Sequence, residues 1–204
     1  IALALVVLVL LWDWNWFKGP VERAVEARTG RSFEIGGDLD VDLGRTTTIR
    51  ADALRLGNAD WSKQATMASA DRLELRIRPF ALLRGDVVIP EIRLASPDVR
   101  LETGPEGGGN WDFGGDDSEG GEPPRLQRIW IDDGQLQFVD TADKTDIKVD
   151  VASREPDEPG GAPPVALEGG GKWAGNPFTL EGVAESPLEL QQTDKPYRID
   201  LHAA

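Results

Sequence analysis

Leu73, Leu75 and Ile77 alternate with Glu74, Arg76 and Arg78, a period of two that places three aliphatic side chains on one face of a strand and three charges on the other. The same alternation returns at Ile49 to Leu56, Ile92 to Leu94, Val99 and Leu101, Ile129 and Ile131, and Leu136 and Phe138. It continues through Ile147 to Val151, Val165 and Leu167, Phe178 and Leu180, and Ile199 and Leu201. Strands buried on both faces read as continuous apolar runs, so one-sided strands predict an antiparallel sheet with one wet face. Asp133-Gly134, between two alternating runs, predicts a hairpin turn.

Other periods are confined to three places. Ile1 to Leu11 is an unbroken apolar run that ends in a belt of Trp12, Trp14, Trp16 and Phe17. Eleven or twelve helical residues reach about 18 Å against a hydrocarbon core of about 30 Å, so a span requires further apolar residues upstream of Ile1. The belt residues suit the membrane interface. A cleaved signal peptide would end in small residues instead of tryptophans, and a core helix remains an alternative for a run this short. Val21, Ala24 and Val25 then stand at helical spacing in a stretch, Val21 to Thr29, that Gly30 is placed to stop. Pro79 to Leu83, closed by Arg84-Gly85, predicts one short helical interruption of the strands.

Two segments carry no periodicity. Thr103 to Pro124 holds eight glycines, three prolines and six acids without a basic residue, and Ser153 to Pro164 holds four prolines and three acids. Neither composition favours burial, so both predict mobile loops that divide the strands into three groups. The expected organisation is the C-terminal part of a transmembrane anchor (1–17), a juxtamembrane amphipathic helix (18–30) and a first β unit (31–102). An acidic glycine-rich loop (103–124), further strands (125–152), a proline-rich loop (153–164) and the start of another β repeat (165–204), expected to be truncated, follow.

The net charge of −14 disfavours nucleic acid and anionic headgroups as partners of the surface. The absence of cysteine excludes disulfides and thiol chemistry. Asp38, Asp40 and Asp42 have the spacing of the first calcium ligands of an EF-hand, but Leu43 and Ile49 stand where the turn glycine and the bidentate Glu are needed. Interleaved Leu39, Val41 and Leu43 make the segment a strand. Gly169-Gly170-Gly171-Lys172 lacks the rest of a phosphate loop and predicts a glycine-softened strand. His202 is the one histidine, at the end of the chain, so neither a catalytic triad nor a zinc cluster has its residues. Acid pairs such as Asp116-Asp117 and Asp132-Asp133 are expected in a chain with 36 acids. Trp61, Trp111, Trp130 and Trp173 suit a stacking surface or ordinary packing. No catalytic residue, metal ligand or cofactor is assigned, and the expectation is a protein that is not an enzyme.

The order of segments is nevertheless distinctive. RTGRSFEIGGDL, IRADALRLGNADW, ADRLELRIRPFALLRGDVVIPEIRLASPDVRLE and GGGNWDF follow the apolar run, and together they resemble the start of the AsmA family of Gram-negative inner-membrane proteins. WAGNPFTLEGVAESPLELQQTDKPYRIDLHAA resembles that family's later strand repeats more loosely. The resemblance implies a mainly β fold: one N-terminal transmembrane helix and a short amphipathic helix, then an elongated, curved antiparallel sheet, a β-groove with a chorein-like N-terminal region. It also implies single-pass anchorage in the inner membrane with the soluble part in the periplasm, and phospholipid as the partner, carried toward the outer membrane.

Physical chemistry supplies a mechanism for that role. Exposing one acyl chain of about 16 carbons to water costs on the order of 13 kcal/mol at roughly 0.8 kcal/mol per methylene, and an apolar trough removes most of that barrier. The residues expected to face it are Leu54, Leu56, Leu73, Leu75, Ile77, Ile92, Leu94, Val99, Leu101, Ile129, Ile131, Leu136 and Phe138. Alternation alone does not separate such a trough from a sandwich core. The two helical segments beside the anchor are expected to cover the trough's membrane end. The alternative role is a structural or assembly factor that pairs outer-membrane or periplasmic proteins through exposed sheet edges.

Overall fold

The computed structural model describes residues 13–82, 88–113, 125–156, 158–191 and 196–204. The apolar run and Trp12 lie outside the described residues. Among the described residues no helix is long and apolar enough to cross a membrane. A 3-10 turn, Trp14–Phe17, leads into α1 (Lys18–Thr29), which ends where Gly30 adopts φ 63° and its N–H donates to the Glu26 carbonyl. Fourteen strands follow: β1 (Phe33–Ile35), β2 (Leu39–Asp42), β3 (Thr47–Gly57), β4 (Thr66–Ile77), β5 (Val88–Ile89), β6 (Glu91–Ala95), β7 (Asp98–Glu102), β8 (Arg125–Leu126), β9 (Ile129–Asp132), β10 (Gly134–Asp140), β11 (Thr145–Ser153), β12 (Val165–Trp173), β13 (Asn176–Ala184) and β14 (Ile199–Ala203). A single helical turn, α2 (Pro79–Leu82), separates β4 from β5, while Leu83, Arg84 and Gly85 lie outside the described residues.

Twelve strands form one sheet in the order β1-β3-β4-β7-β10-β11-β12-β13-β14, with β2 extending β1 along β3, and β6 and β9 extending β7 and β10; β5 and β8 pair separately. The loops therefore do not split the strands into groups. Nor is the sheet wholly antiparallel. Val88 faces Arg125, Ile92 faces Ile129 and Val99 faces Leu136 in parallel register, one long seam between two antiparallel halves. Alternation reports how many faces are wet, not strand direction, so it could not reveal this seam. A parallel neighbour needs a crossover of a dozen or more residues, and the segment from Thr103 to Arg128 supplies it.

Asp133-Gly134 is not a hairpin turn. β9 and β10 run on in one direction, and Asp133 between them adopts φ 51°. Ser96, beside it in the parallel register, adopts φ 47°, and Ala53 in β3 adopts φ 53°. Asp71 of β4 completes the line: it stands between Ser96 and Ala53, flanked by the pairs Arg72↔Ala95 and Asp52↔Arg72. Three positive-φ residues thus fall in one row across neighbouring strands, with Asp71 of β4 in line between Ala53 and Ser96.

This row shifts the side-chain phase by one residue. Strict alternation would send Ala51 and Leu54 to opposite faces, yet Ile35, Leu39, Ala51 and Leu54 form one buried cluster with Phe33, Ile49 and Leu73 packed against it. The Asp-Gly pair that suits a turn suits this shift for the same reason, since both need positive φ. On the edge strand the shift is a bulge at Gly36-Gly37. A Cβ on Gly37 would stand 2.6 Å from that of Asp52.

α1 closes this edge of the sheet. Glu22 accepts from the Ile35 N–H, Glu26 from that of Phe33, and Asn15 from that of Leu39. These outward donors would otherwise be open to another chain. No residue of α1 is buried, so it docks through its acids and not through the apolar stripe that its spacing predicts; it lies along the edge instead of over the sheet. At the other end of the order all five residues of β14 are exposed.

Candidate functional site

Pairing assembles the alternating aliphatics into ladders that run across the strands. Val41, Ile49, Leu75, Ile92 and Ile129 stand side by side, as do Leu39, Ala51, Leu73, Leu94 and Ile131. Beyond the irregular row, Phe33, Leu56, Ala68, Val99, Leu136, Val149, Gly169 and Leu180 form a third ladder, and Leu101, Phe138, Ile147, Gly171 and Phe178 a fourth. Because the row restores the phase, all four occupy one face. At about 4.8 Å per strand, nine strands abreast carry this face over about 38 Å.

All thirteen sequence-derived positions lie on this face; Leu54 pairs Ala70, and Ile77 pairs Thr47. Phe33, Ile49, Ile147, Val149, Phe178 and Leu180 join them. Alternation marks the last five as strand residues but does not by itself place separate strands on a common face.

The face is buried only at its β1–β3 end, in the cluster of Ile35, Leu39, Ala51 and Leu54, and is half-buried over most of the rest. Only Leu54 of the thirteen is buried, and the other twelve are half-buried. The largest side chains below 2% exposure are Asn110, Pro163 and Ser186, none of them a large aliphatic or aromatic group. Two packed sheets of this area would bury leucines and isoleucines completely. Among the described residues no second sheet covers the face, so the sandwich alternative fails.

The opposite face is a charge ladder. Arg50 bridges Glu74 at 3.4 Å, Arg76 bridges Glu74 at 3.1 Å and Glu91 at 3.3 Å, and Arg128 reaches Glu91 at 3.3 Å. The Arg93 guanidinium lies 5.2 Å from the centroid of the Trp130 ring. Such pairs contribute little each, about 0–1 kcal/mol, but they keep this side wet. Asp40 and Asp42 project to solvent from β2 while Leu39 points inward, as a strand requires, and Gly169 to Gly171 lie inside β12.

The glycine-rich loop is ordered where it follows β7, contrary to its composition; residues 114–124 lie outside the described residues. Past Ser69↔Asp98 and Ala68↔Val99, β4 leaves the edge of β7 unpaired, and Asn110 fills the gap. Its backbone N–H donates to the Glu102 carbonyl, its Oδ1 accepts from the Glu102 N–H, and its Nδ2 donates to the Arg100 carbonyl and to Asn58 Oδ1. One fully buried asparagine thereby stands in for a strand. Next to it the Trp111 ring meets Phe138 of the fourth ladder at 6.2 Å. The proline-rich loop is also tied down, by the Arg154 N–H to the Pro164 carbonyl and by burial of Pro163; Asp157 lies outside the described residues.

Glu102 belongs to the same clasp. Burial alone would raise its carboxyl, but hydrogen bonds from Ser62, Arg100 and Asn58, with the Arg100 charge, outweigh that and hold it below the usual carboxylate range. A depressed folded value contributes stability that is full above the unfolded pKa of about 4.3 and is lost as pH falls through the folded value. Urea midpoints measured from about pH 7 down to about pH 3 should therefore fall less steeply in Glu102→Gln than in the native chain.

Of the aromatic belt, Trp16 and Phe17 are exposed beside the capped sheet edge, and the Trp14 and Phe17 rings meet at 5.7 Å. Trp61 and Trp111 are exposed and Trp173 is 63% exposed, so none serves a core. Among the described residues no group of acids and His202 is arranged to hold a metal ion.

A single-layer β protein with one apolar and one charged face is the class these features define. The AsmA family model matches residues 1–160, and the chain belongs to that family, whose members are associated with the bacterial envelope. It is 27% identical over 229 aligned positions to the AsmA family protein YhjG of Escherichia coli (strain K12), covering 95% of this chain and 33% of that protein. The chain thus spans about a third of the length of that curated relative.

Proposed function

We propose that this chain is the membrane-proximal part of an inner-membrane-anchored periplasmic protein that holds phospholipid acyl chains against its apolar face, for transport between the two membranes and envelope maintenance. The observation that carries this reading is the face itself: four ladders of mostly half-buried aliphatics and aromatics, the longest crossing eight strands with glycine at its β12 position. Leaving so much apolar area against water is costly at about 25 cal/mol per Å², and an acyl chain is a partner of matching chemistry and length. The run Ile1 to Leu11 and the Trp12, Trp14, Trp16 and Phe17 belt then serve as the anchor and its interface.

Photo-crosslinking groups at Leu75 and Ile77 are expected to capture phospholipid, while those at Glu74 and Arg76 do not. Equal labelling of the two faces would sink the proposal. The exposed β14 favours a second reading, strand addition by a client protein. That reading predicts protein crosslinks at Ile199 to Ala203 and no lipid retained by the purified chain.

A further inference from the structure

Beside the apolar face, where β3 ends and the ordered loop begins, lies a cavity of about 570 Å³ lined by Arg31, Trp61, Glu106 and Asp112, with Gly104 and Gly109 in its wall. Two of its charged side chains, Arg31 and Glu106, form no ion pair among the described residues. The Arg31 guanidinium makes a single long contact, Nη2 to the Asn110 carbonyl at 3.5 Å, and its Nε is buried without an acceptor. Among the described residues it forms no ion pair, and the Glu106 side chain forms neither an ion pair nor a hydrogen bond. A guanidinium N–H buried without an acceptor is costly. Trp61 is 41% exposed and offers a ring face of the kind that attracts ammonium groups.

We infer that this cavity receives a zwitterionic phosphoethanolamine headgroup, its phosphate on Arg31 and its ammonium between Glu106 and the Trp61 ring. The inference rests on the acyl-chain reading above and adds headgroup selection to it. The position fits an amphiphile: Gly109 lines the cavity and packs under Trp111, whose ring borders the apolar face at Phe138. A lipid with its chains on the ladders would carry its headgroup to this rim. A purely anionic headgroup would satisfy Arg31 and leave Glu106 opposed to nothing.

The test uses the purified chain incubated with vesicles of equal phosphatidylethanolamine and phosphatidylglycerol, and reads by mass spectrometry both the total lipid retained and the ratio of the two. The native chain should enrich the ethanolamine lipid about threefold, the scale of one exposed charge contact. Glu106→Gln should bring the ratio close to one with total lipid unchanged. Arg31→Gln should lower retention of both lipids, and Arg31→Lys should restore it. An unbiased ratio in the native chain, or a bias that survives Glu106→Gln, overturns the headgroup site while leaving the apolar face standing. No retained lipid at all overturns both. Soluble phosphoethanolamine is the remaining arm: if it binds as tightly as dihexanoyl phosphatidylethanolamine, the cavity serves a free solute and the lipid assignment fails.

Discussion

Asn110→Ala is expected to cost about 3 kcal/mol of unfolding free energy, a large effect for one exchange outside an apolar core. The side chain carries no packing energy to speak of. What it removes is three partners at once: the acceptor of the Glu102 N–H and the donors to the Arg100 carbonyl and to Asn58. Each becomes a polar group buried without a partner, at about 1–3 kcal/mol apiece, with some relief from water entering the vacated space. Urea titration of the purified chain measures it. A loss under about 1 kcal/mol would mean that the edge of β7 is satisfied some other way. Asn110→Asp is a sharper version, because it keeps the acceptor, removes both donors and adds a charge next to Glu102.

The second large effect concerns lipid and not stability. Leu75→Asp and Ile131→Asp, each in the middle of an apolar ladder, are expected to lower co-purifying phospholipid about tenfold, because an acyl chain laid on that ladder would have to desolvate a carboxylate. Since both positions are half-buried, the cost to folding should stay near 1–2 kcal/mol. Asp150→Asn on the charged face is the control and should leave lipid content unchanged. Mass spectrometry of organic extracts, with urea midpoints from the same preparations, separates the outcomes: in a packed core the melting would fail first, and on an open face the lipid goes first.

The alternation of Leu73, Leu75 and Ile77 was enough to locate strands and to say which face is wet, because that pattern depends only on the two-residue repeat. It could not place the strands relative to one another. The parallel seam is invisible to it, since Ile92 beside Ile129 alternates in the same way whichever direction its neighbour runs. The phase shift was written in the sequence as a change of parity, odd at Ile49 and even at Leu54, even at Ile92 and odd at Val99. That the breaks fall opposite one another needs the register to be known. The clasp was hidden for another reason. GGGNWDF has the composition of a solvated loop, and the burial of Asn110 depends on an edge left open where β4 diverges from β7, a property of strands distant in the chain.

The parallel seam also governs how the chain reaches this structure. β1 to β7 and β9 to β14 are each stitched by neighbours close in sequence, so each half can zip locally and quickly. Joining them requires the crossover that begins at Thr103 to close before β9 and β10 can pair β6 and β7, a large loop entropy for the sheet. Asn110 sits at the start of that crossover and shortens the part still free once it is seated. Mutations at the clasp should thus slow the final joining step, leaving two formed half-sheets with bare edges that invite aggregation.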